Sequence, residues 1–317
     1  MQAPIAEGNL VSVIIRTKDR PRLLGEAVAS VAAQTHQPVE AIVVNDGGVD
    51  VGSVVGAFGG RLDCRLVNLR PGRGRSAAAN AGVAAARGAW VGFLDDDDLL
   101  LPDAVATLLD ATGGGGGVPY GRVDAYFHPE GEPPRLFRVF SRPFDPDALL
   151  FENFIPVNAC LIPAGVLRDI GGMDERLECF EDWDLFLRLS DRLPFRHVDR
   201  QVAEYRIFDQ AFITGRGGQE RQHQGRVAIF SKHAHRYTAE ALSRMQYAVK
   251  TAAAVTDVVT VELESRLRQR EAELAAAAND LAQLSGRLAT AEGALRAIES
   301  SLGWRFYQRL RRMLGRR

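Results

Sequence analysis

Trp90-Val-Gly-Phe-Leu-Asp-Asp-Asp-Asp98 is the stretch that decides the fold. Its first five residues are a short apolar run of buried-strand type. Its last four are carboxylates, which repel one another unless a cation or a hydrogen-bond donor offsets them. A buried strand ending in acids sets them beyond its carboxyl end, where open α/β sheets bind ligands. Crowded oxygen donors of this kind suit Mg²⁺ or Mn²⁺, which keep waters and bind substrate phosphates. The plainer alternative is a solvated turn whose last residue, Asp98, caps a helix starting near Pro102.

The same alternation runs outward in both directions. Leu10-Val-Ser-Val-Ile-Ile15 is strand-like, and Pro21 opens a stretch with Leu23, Leu24, Ala27, Val28 and Val31 at helical spacing. Glu40-Ala-Ile-Val-Val44 reads as a second strand, ending in the turn composition Asn45-Asp46-Gly47-Gly48. Arg65-Leu-Val67 reads as a third strand, and Ser76 to Ala86 as an Ala-rich helix. Strands alternating with helices predict an α/β fold, with a mixed, mainly parallel sheet and flanking helices. Asp19 and Asp46 then fall just after strand ends, beside the acidic run.

Downstream, Gly113 to Gly117 lacks the Lys-Ser/Thr of a phosphate-cradling loop and reads as a connector. Residues 118 to 144 read as short strands with a Pro-rich loop, and Asn153 to Ile162 as strand-like. Glu181-Asp-Trp-Asp-Leu-Phe-Leu-Arg-Leu189 is an amphipathic helix with Trp183, Phe186 and Leu187 on its buried face. Glu181 and Asp182 sit at its start, where the helix dipole favours anions.

Taken in order, these segments resemble family 2 glycosyltransferases. The resemblance is carried by Val11-Ser-Val-Ile-Ile-Arg-Thr-Lys-Asp-Arg-Pro21, Val43-Val-Asn-Asp-Gly-Gly48 and Gly74-Arg-Ser-Ala-Ala-Ala-Asn-Ala-Gly82. Gly88 to Asp98, Gly171-Gly-Met-Asp174 and Cys179-Phe-Glu-Asp-Trp-Asp-Leu-Phe-Leu-Arg188 complete the series, over roughly residues 10 to 210. The resemblance implies a GT-A fold and transfer of a sugar from a nucleotide-sugar donor, UDP-sugar favoured, to a saccharide or lipid-linked acceptor with inversion. It implies that Asp19 and Asp46 hold the base and ribose. Asp95-Asp96-Asp97 resembles the family's DXD motif, with Asp97 as ligand to Mn²⁺ or Mg²⁺ and Asp95 or Asp96 facing the ribose or the metal shell. Asp182 resembles the catalytic base, with Glu181 on the nucleotide-sugar. The sequence departs from the family twice. Ala78-Ala79-Asn80 stands where Ala-Arg-Asn is common, leaving Arg73 and Arg75 as stand-ins at the diphosphate. Phe208 stands where Tyr-Arg-x-His would place a histidine.

Beyond about residue 235 the composition changes. The reading is a catalytic domain over 1–235, a helical and coiled-coil extension over 236–303 and a basic amphipathic tail over 304–317. Leu267, Leu274, Leu281, Leu288, Leu295 and Leu302 recur every seven residues, a coiled-coil period that predicts a homo-oligomer. The last fourteen residues hold six arginines and no acid, a composition suited to an anionic membrane surface.

Composition removes other classes. Of the 317 residues, 39 are Lys or Arg and 40 Asp or Glu, giving a net charge of -1 and no bulk attraction to nucleic acid. Three widely spaced cysteines match neither a disulfide framework nor a zinc site and suit a reducing cytoplasm. Met1 to Asn9 does not read as a signal peptide. His233 and His235, two apart in a helical region, do not read as a metal pair. A nucleotidyltransferase would need a Gly-rich first loop, and Arg16 to Pro21 has no glycine. A catalytically weak nucleotide-sugar-binding scaffold, assembled by the coiled coil, stays as the alternative in a different class.

Overall fold

The structure, a computed structural model, describes residues 10–208 and 218–314. The readings placed on residues 1–9 and 315–317 lie outside the described residues. The chain divides into two compact units, Met1–Met245 and Gln246–Arg317.

The first unit is built on two sheets. The larger contains β1 (Val11–Thr17), β2 (Val39–Asp46), β3 (Asp63–Leu69) and β4 (Trp90–Asp95). These run parallel in the order β3-β2-β1-β4, and β8 (Ile162–Pro163) adds an antiparallel edge. Every residue of β1 is buried, as expected for a central strand covered on both faces. Helices α1 (Pro21–Ala32) and α3 (Arg75–Ala85) bury Leu24, Ala27, Val28, Val31, Ala78, Ala79 and Val83 in the same core. Each fully buried valine or leucine among these contributes about 1.5–3 kcal/mol, and each alanine methyl less. The strands and helices expected over residues 10–95 are therefore all present, within a few residues of the expected ends.

The smaller sheet has the order β5-β9-β6-β7, formed by Leu99–Leu100, Phe195–Ile207, Val118–Phe127 and Arg135–Phe140 respectively. Strands β6 and β9 are parallel partners with register shifts at Gly121–Val123. The short helix α2 (Gly52–Gly56) precedes β3, and α4 (Ala104–Asp110) precedes β6. Asn153 to Ile162 departs from the expected strand. It is a loop carrying a 3₁₀ turn at Val157–Ala159; Cys160 makes a single antiparallel bridge to Tyr120, and only Ile162–Pro163 forms a strand. Its polar side chains turn inward to the site described below, which alternation cannot register.

Helices α5 (Pro146–Phe151), α6 (Ala164–Asp169) and α7 (Glu181–Ser190) close the domain. Trp183, 2% exposed, donates its indole N–H to the Leu149 carbonyl at 2.6 Å, which ties α7 to α5. Helix α8 (Gln219–Lys232) follows, and the first unit extends to Met245: the Tyr237 hydroxyl donates to Leu150 O at 2.9 Å, and Ala241 is buried. Helix α9 spans Ala239–Ser300, and after Ser301 comes α10, Leu302–Leu314. In the second unit Leu267, Leu274, Leu281, Leu288 and Leu295 are all 58–70% exposed within the single chain. No described helix is long and apolar enough to cross a membrane.

Candidate functional site

Parallel strands β1, β2 and β4 end side by side, so their following loops converge. Register sets Arg16 opposite Asp95 and Thr17 opposite Asn45. A cleft of about 480 Å³ opens over these ends, lined by Asp19, Asp46, Arg75, Asp95, Asp96 and Asp97 among others. Two glycines next to Asp46 let the surrounding loops pack together. A Cβ at Gly48 would lie 2.6 Å from Asp19 N, and Gly47 adopts φ +77° with a built Cβ 2.5 Å from Gly72 N. Only glycine fits there, because two other backbone segments approach at van der Waals contact or closer. Asp19 itself holds φ +59°, and Phe180, just before α7, φ +61°. Non-glycine residues held in this region cost free energy and cluster at functional sites.

The carboxylates have different partners. Asp19 Oδ1 accepts from Val49 N at 2.9 Å. Asp46 accepts from the backbone N–H of Arg73 at 2.6 Å and of Gly74 at 3.0 Å, which draws the 70–74 loop to the cleft. Asp95 pairs with Arg16 at 2.5 Å. Burial would raise its pKa, but the Arg16 charge and hydrogen bonds outweigh that and hold it low. Asp96 accepts from the Thr17 hydroxyl at 2.7 Å, and Asp97 from Arg20 at 2.6 Å. Both are raised from the ordinary aspartate value: burial comes first, with Asp97 adding to Asp96 and Asp95 to Asp97.

Asp98 belongs elsewhere. It neither caps a helix nor meets solvent: it is 2% exposed and accepts from Asn158 Nδ2 at 2.8 Å and Arg206 N at 2.9 Å. Residue Asp103 precedes α4 instead. The plainer reading of Asp98 is thus corrected, because the β4 turn faces β9 and the 152–160 loop rather than water.

A second recess, about 260 Å³, shares Arg16, Arg75, Asp95 and Tyr205 with the cleft and adds Asn153, Asn158, Glu181 and Asp182. Asp182 accepts from Asn153 Nδ2 at 2.9 Å and from Trp183 N at 2.8 Å. Burial and then the neighbouring Glu181 charge push its pKa up to about 6. Glu181 Oε1 lies 3.2 Å from Arg16 and 3.5 Å from Arg75. Arg16 therefore bridges Asp95 of the cleft and Glu181 of the recess. Glu181 and Asp182 line the recess and are not among the residues lining the larger cleft. Arg75 lines both, whereas Arg73 turns its guanidinium to Glu175 at 3.2 Å.

Arg16, Arg20, Asn153, Asn158 and Tyr205 carry no role in the sequence reading. Arg16 had a signal: an arginine inside an otherwise apolar strand must find carboxylates if buried. His233 is likewise buried, with Nε2 2.8 Å from Asp184 Oδ1. Asp184 would be raised by burial, but His233 and Lys232 bring it down to about 2, and this network holds α7 to α8.

Among the described residues, no three His, Cys, Asp or Glu side chains are grouped to hold a metal. The donor chemistry nonetheless fits Mg²⁺ or Mn²⁺, which commonly take one or two carboxylates and complete their shell with waters and substrate phosphates. Asp96 and Asp97 are hard oxygen donors on one cleft wall. Arg20 lies between them and reaches both, and burial still keeps their charged forms unfavourable, which a bound cation would relieve.

Parallel strands, acids at their carboxyl ends and a carboxylate at the start of α7 define a GT-A glycosyltransferase. Residues 12–169 match the family described as "Glycosyl transferase family 2", and the chain belongs to that family. It is 28% identical over 202 residues to an uncharacterized glycosyltransferase, YwdF, of Bacillus subtilis, covering 63% of this chain and 75% of that one. It is 29% identical over 231 residues to the hyaluronan synthase of Pasteurella multocida, covering 68% of this chain and 22% of the synthase. The chain thus spans about three quarters of one relative and under a quarter of the other. Two solved structures share the fold. One is S. aureus TarS 1-349 in complex with UDP-GlcNAc, with TM-score 0.53 and 16% identity over 64% of this chain and 60% of that one. The other is the mannosyltransferase PcManGT from Pyrobaculum calidifontis with GDP-Man and Mn²⁺, with TM-score 0.53 and 18% identity over 75% and 68%.

Proposed function

We propose that this glycosyltransferase moves a sugar from a nucleotide-sugar donor, UDP-sugar favoured, to a hydroxyl of a saccharide or lipid-linked acceptor, with inversion. The observation that carries the reading is the pair of adjoining cavities: an acid-lined cleft at the strand ends, and a recess walled by a carboxylate with pKa about 6. Asp19 and Asp46 would hold the base and ribose, with Arg73 and Arg75 near the diphosphate. Asp95 and Asp96 would face the ribose or metal shell. Asp97 would hold Mn²⁺ or Mg²⁺, which when bound supplies Lewis-acid neutralisation of the departing diphosphate. Asp182 would take the acceptor hydroxyl's proton as its oxygen attacks the anomeric carbon. A base on one side of the sugar and the diphosphate on the other give inversion. The complexes of TarS with UDP-GlcNAc and of PcManGT with GDP-Man and Mn²⁺ support a nucleotide-sugar donor and a divalent metal. The likeness to hyaluronan synthase supports polysaccharide synthesis.

The proposal extends to the second unit. Leucines at seven-residue spacing, left in water by a single chain, favour a homo-oligomer through a coiled coil. On α10, Trp304, Tyr307 and Leu310 sit among arginines, which favours a cytoplasmic enzyme lodged peripherally on an anionic membrane face. The test of the donor reading is thermal shift with UDP, GDP, dTDP and CMP, with and without Mn²⁺. A ligand that binds only the folded state raises its stability. Stabilisation by a nucleoside diphosphate with donor turnover is expected. Binding without turnover, at any pH and with any acceptor tried, would favour the scaffold.

A further inference from the structure

We propose that helix α8 positions the start of α7 for proton transfer by Asp182, and that Gly225 is the residue that lets it do so. This rests on the reading of Asp182 as the base. Asp182 is the second residue of α7, so its place depends on how that helix begins. The helix begins on Phe180, whose carbonyl accepts from Asp184 N at 3.0 Å. Phe180 holds a left-handed conformation, φ +61° and ψ +26°, which an aromatic residue keeps only where its surroundings impose it.

Helix α8 supplies those surroundings. In its first turn Arg221 donates to the Glu178 carbonyl at 2.5 Å, and the Cys179 thiol donates back to the Arg221 carbonyl at 3.5 Å. Arg226 then lies over the Phe180 ring, its guanidinium carbon 6.0 Å from the centroid. Phe230 meets Trp183 edge to face at 5.7 Å, and Trp183 meets Phe180 in the same way at 5.7 Å. Lys232 completes the row with an ion pair to Asp184 at 2.7 Å. Contacts from Arg221 to Lys232 thus follow the chain from Glu178 to Asp184, on both sides of Asp182.

Gly225 sits at the closest approach. A Cβ built there would overlap Cys179 Sγ and lie 2.9 and 3.1 Å from carbons of the Phe180 ring. Glycine in a helix interior weakens the helix, and such a position has its reason in close packing. Here the packed segment is the one that leads into the base. The seat does not come from an apolar face, since Ile229 is the one buried residue of α8. None of Arg221, Gly225, Arg226 and Phe230 lines the recess or the cleft. They are positioning residues, which act on the reaction through Phe180 and Trp183.

The test uses the full chain with Mn²⁺. It follows release of nucleoside diphosphate from UDP-glucose, UDP-galactose, UDP-N-acetylglucosamine and GDP-mannose, with UDP and GDP affinity and melting temperature measured beside it. Gly225→Ala should keep nucleoside diphosphate affinity within about 2-fold and cut kcat about 10²-fold, the scale of a misplacement of about 1 Å among reacting groups. Cys179→Ala removes the overlapped sulfur, so in the Gly225→Ala background it should recover about 10-fold of that loss. Asp182→Asn already lacks the base, so adding Gly225→Ala to it should cost nothing further, whereas general damage to the fold would add. Should Gly225→Ala fail to fold, Arg221→Met carries the same comparison. It removes the tie to Glu178 and should lower kcat about 10-fold, the scale of one hydrogen bond. Wild-type kcat in a folded variant, an equal loss of nucleoside diphosphate affinity, no recovery with Cys179→Ala, or additivity with Asp182→Asn would overturn the positioning role and leave the glycosyltransferase reading standing. Wild-type turnover in Asp182→Asn would instead remove the base on which this inference rests. A wild type that releases nucleoside diphosphate from none of these donors would favour the scaffold and overturn both.

Discussion

Asp182→Asn is the change whose consequences are most fully fixed by the structure. The folded protein holds Asp182 at a pKa of about 6, against an ordinary 3.8. Below about pH 4 the carboxyl is protonated whether the chain is folded or not, and Asp182 costs nothing. Between about pH 4 and 6 the folded state keeps the proton that the unfolded state has lost, so stability falls as pH rises. Above about pH 6 the full penalty applies: about 2 pKa units at 1.36 kcal/mol each, or about 3 kcal/mol at most. The asparagine carries no such charge penalty, although its NH₂ cannot accept from Asn153 Nδ2 and that loss of about 1 kcal/mol offsets part of the gain. At about pH 8 the variant should therefore be more stable than wild type by up to about 3 kcal/mol less that offset, a rise of at most roughly 5–10 °C in melting temperature for a domain of this size. By about pH 4 that advantage should be gone.

Turnover should move the other way. The asparagine keeps an oxygen for the Trp183 N–H but cannot take a proton, so release of nucleoside diphosphate should fall about 10²- to 10⁴-fold with donor binding nearly unchanged. Wild-type turnover should decline below about pH 6 with the slope of one proton. Stability and activity would be traded at a single residue, as expected where a site keeps a charge in an unfavourable place. Turnover near wild type would remove Asp182 from the mechanism. A melting difference that does not change between about pH 4 and 8 would show that burial does not set its pKa.

Chelation by EDTA should reverse the Mn²⁺-dependent tightening of nucleoside diphosphate binding, and Asp97→Ala should abolish it; calorimetry that shows EDTA-insensitive binding and activity would make the enzyme metal-independent. Arg16→Met should lower stability by about 3 kcal/mol or more in denaturant titrations, because it leaves Glu181 buried with only the longer contact to Arg75 and strips Asp95 of its closest partner. Truncation after Met245 should leave a folded domain that still binds UDP but has a smaller association state by light scattering; an unchanged oligomer would refute assembly through the leucine row. Removing Trp304 to Arg317 should leave assembly intact and weaken binding to anionic vesicles, and that binding should fall with salt as the arginine attraction is screened beyond about 8 Å. Vesicle binding indifferent to both tail and salt would end the membrane proposal.

The larger sheet was legible because its signals are local. Val11 to Ile15, Glu40 to Val44 and Trp90 to Leu94 are apolar runs bounded by turn residues, and a central parallel strand leaves no other pattern. The smaller sheet was not. Strand β9 mixes Arg196, Asp199, Arg200 and Glu204 with Val198, Val202 and Ala203, and its register shifts against β6 break the two-residue period. Its partner lies roughly eighty residues upstream, beyond the reach of any windowed pattern. The acids of the site were legible as residues but not as pairings. Four adjacent aspartates look alike in sequence, yet Arg16, Thr17, Arg20 and Asn158 divide them among four settings. Asp98 shows why this matters. Its role depends on Asn158, sixty residues later in a loop whose composition reads as strand. Glu181 Oε2 and Asn158 Oδ1, buried without a hydrogen-bond partner, are one step further removed: what leaves an atom unpaired is the position of everything around it, a feature that only the folded chain possesses.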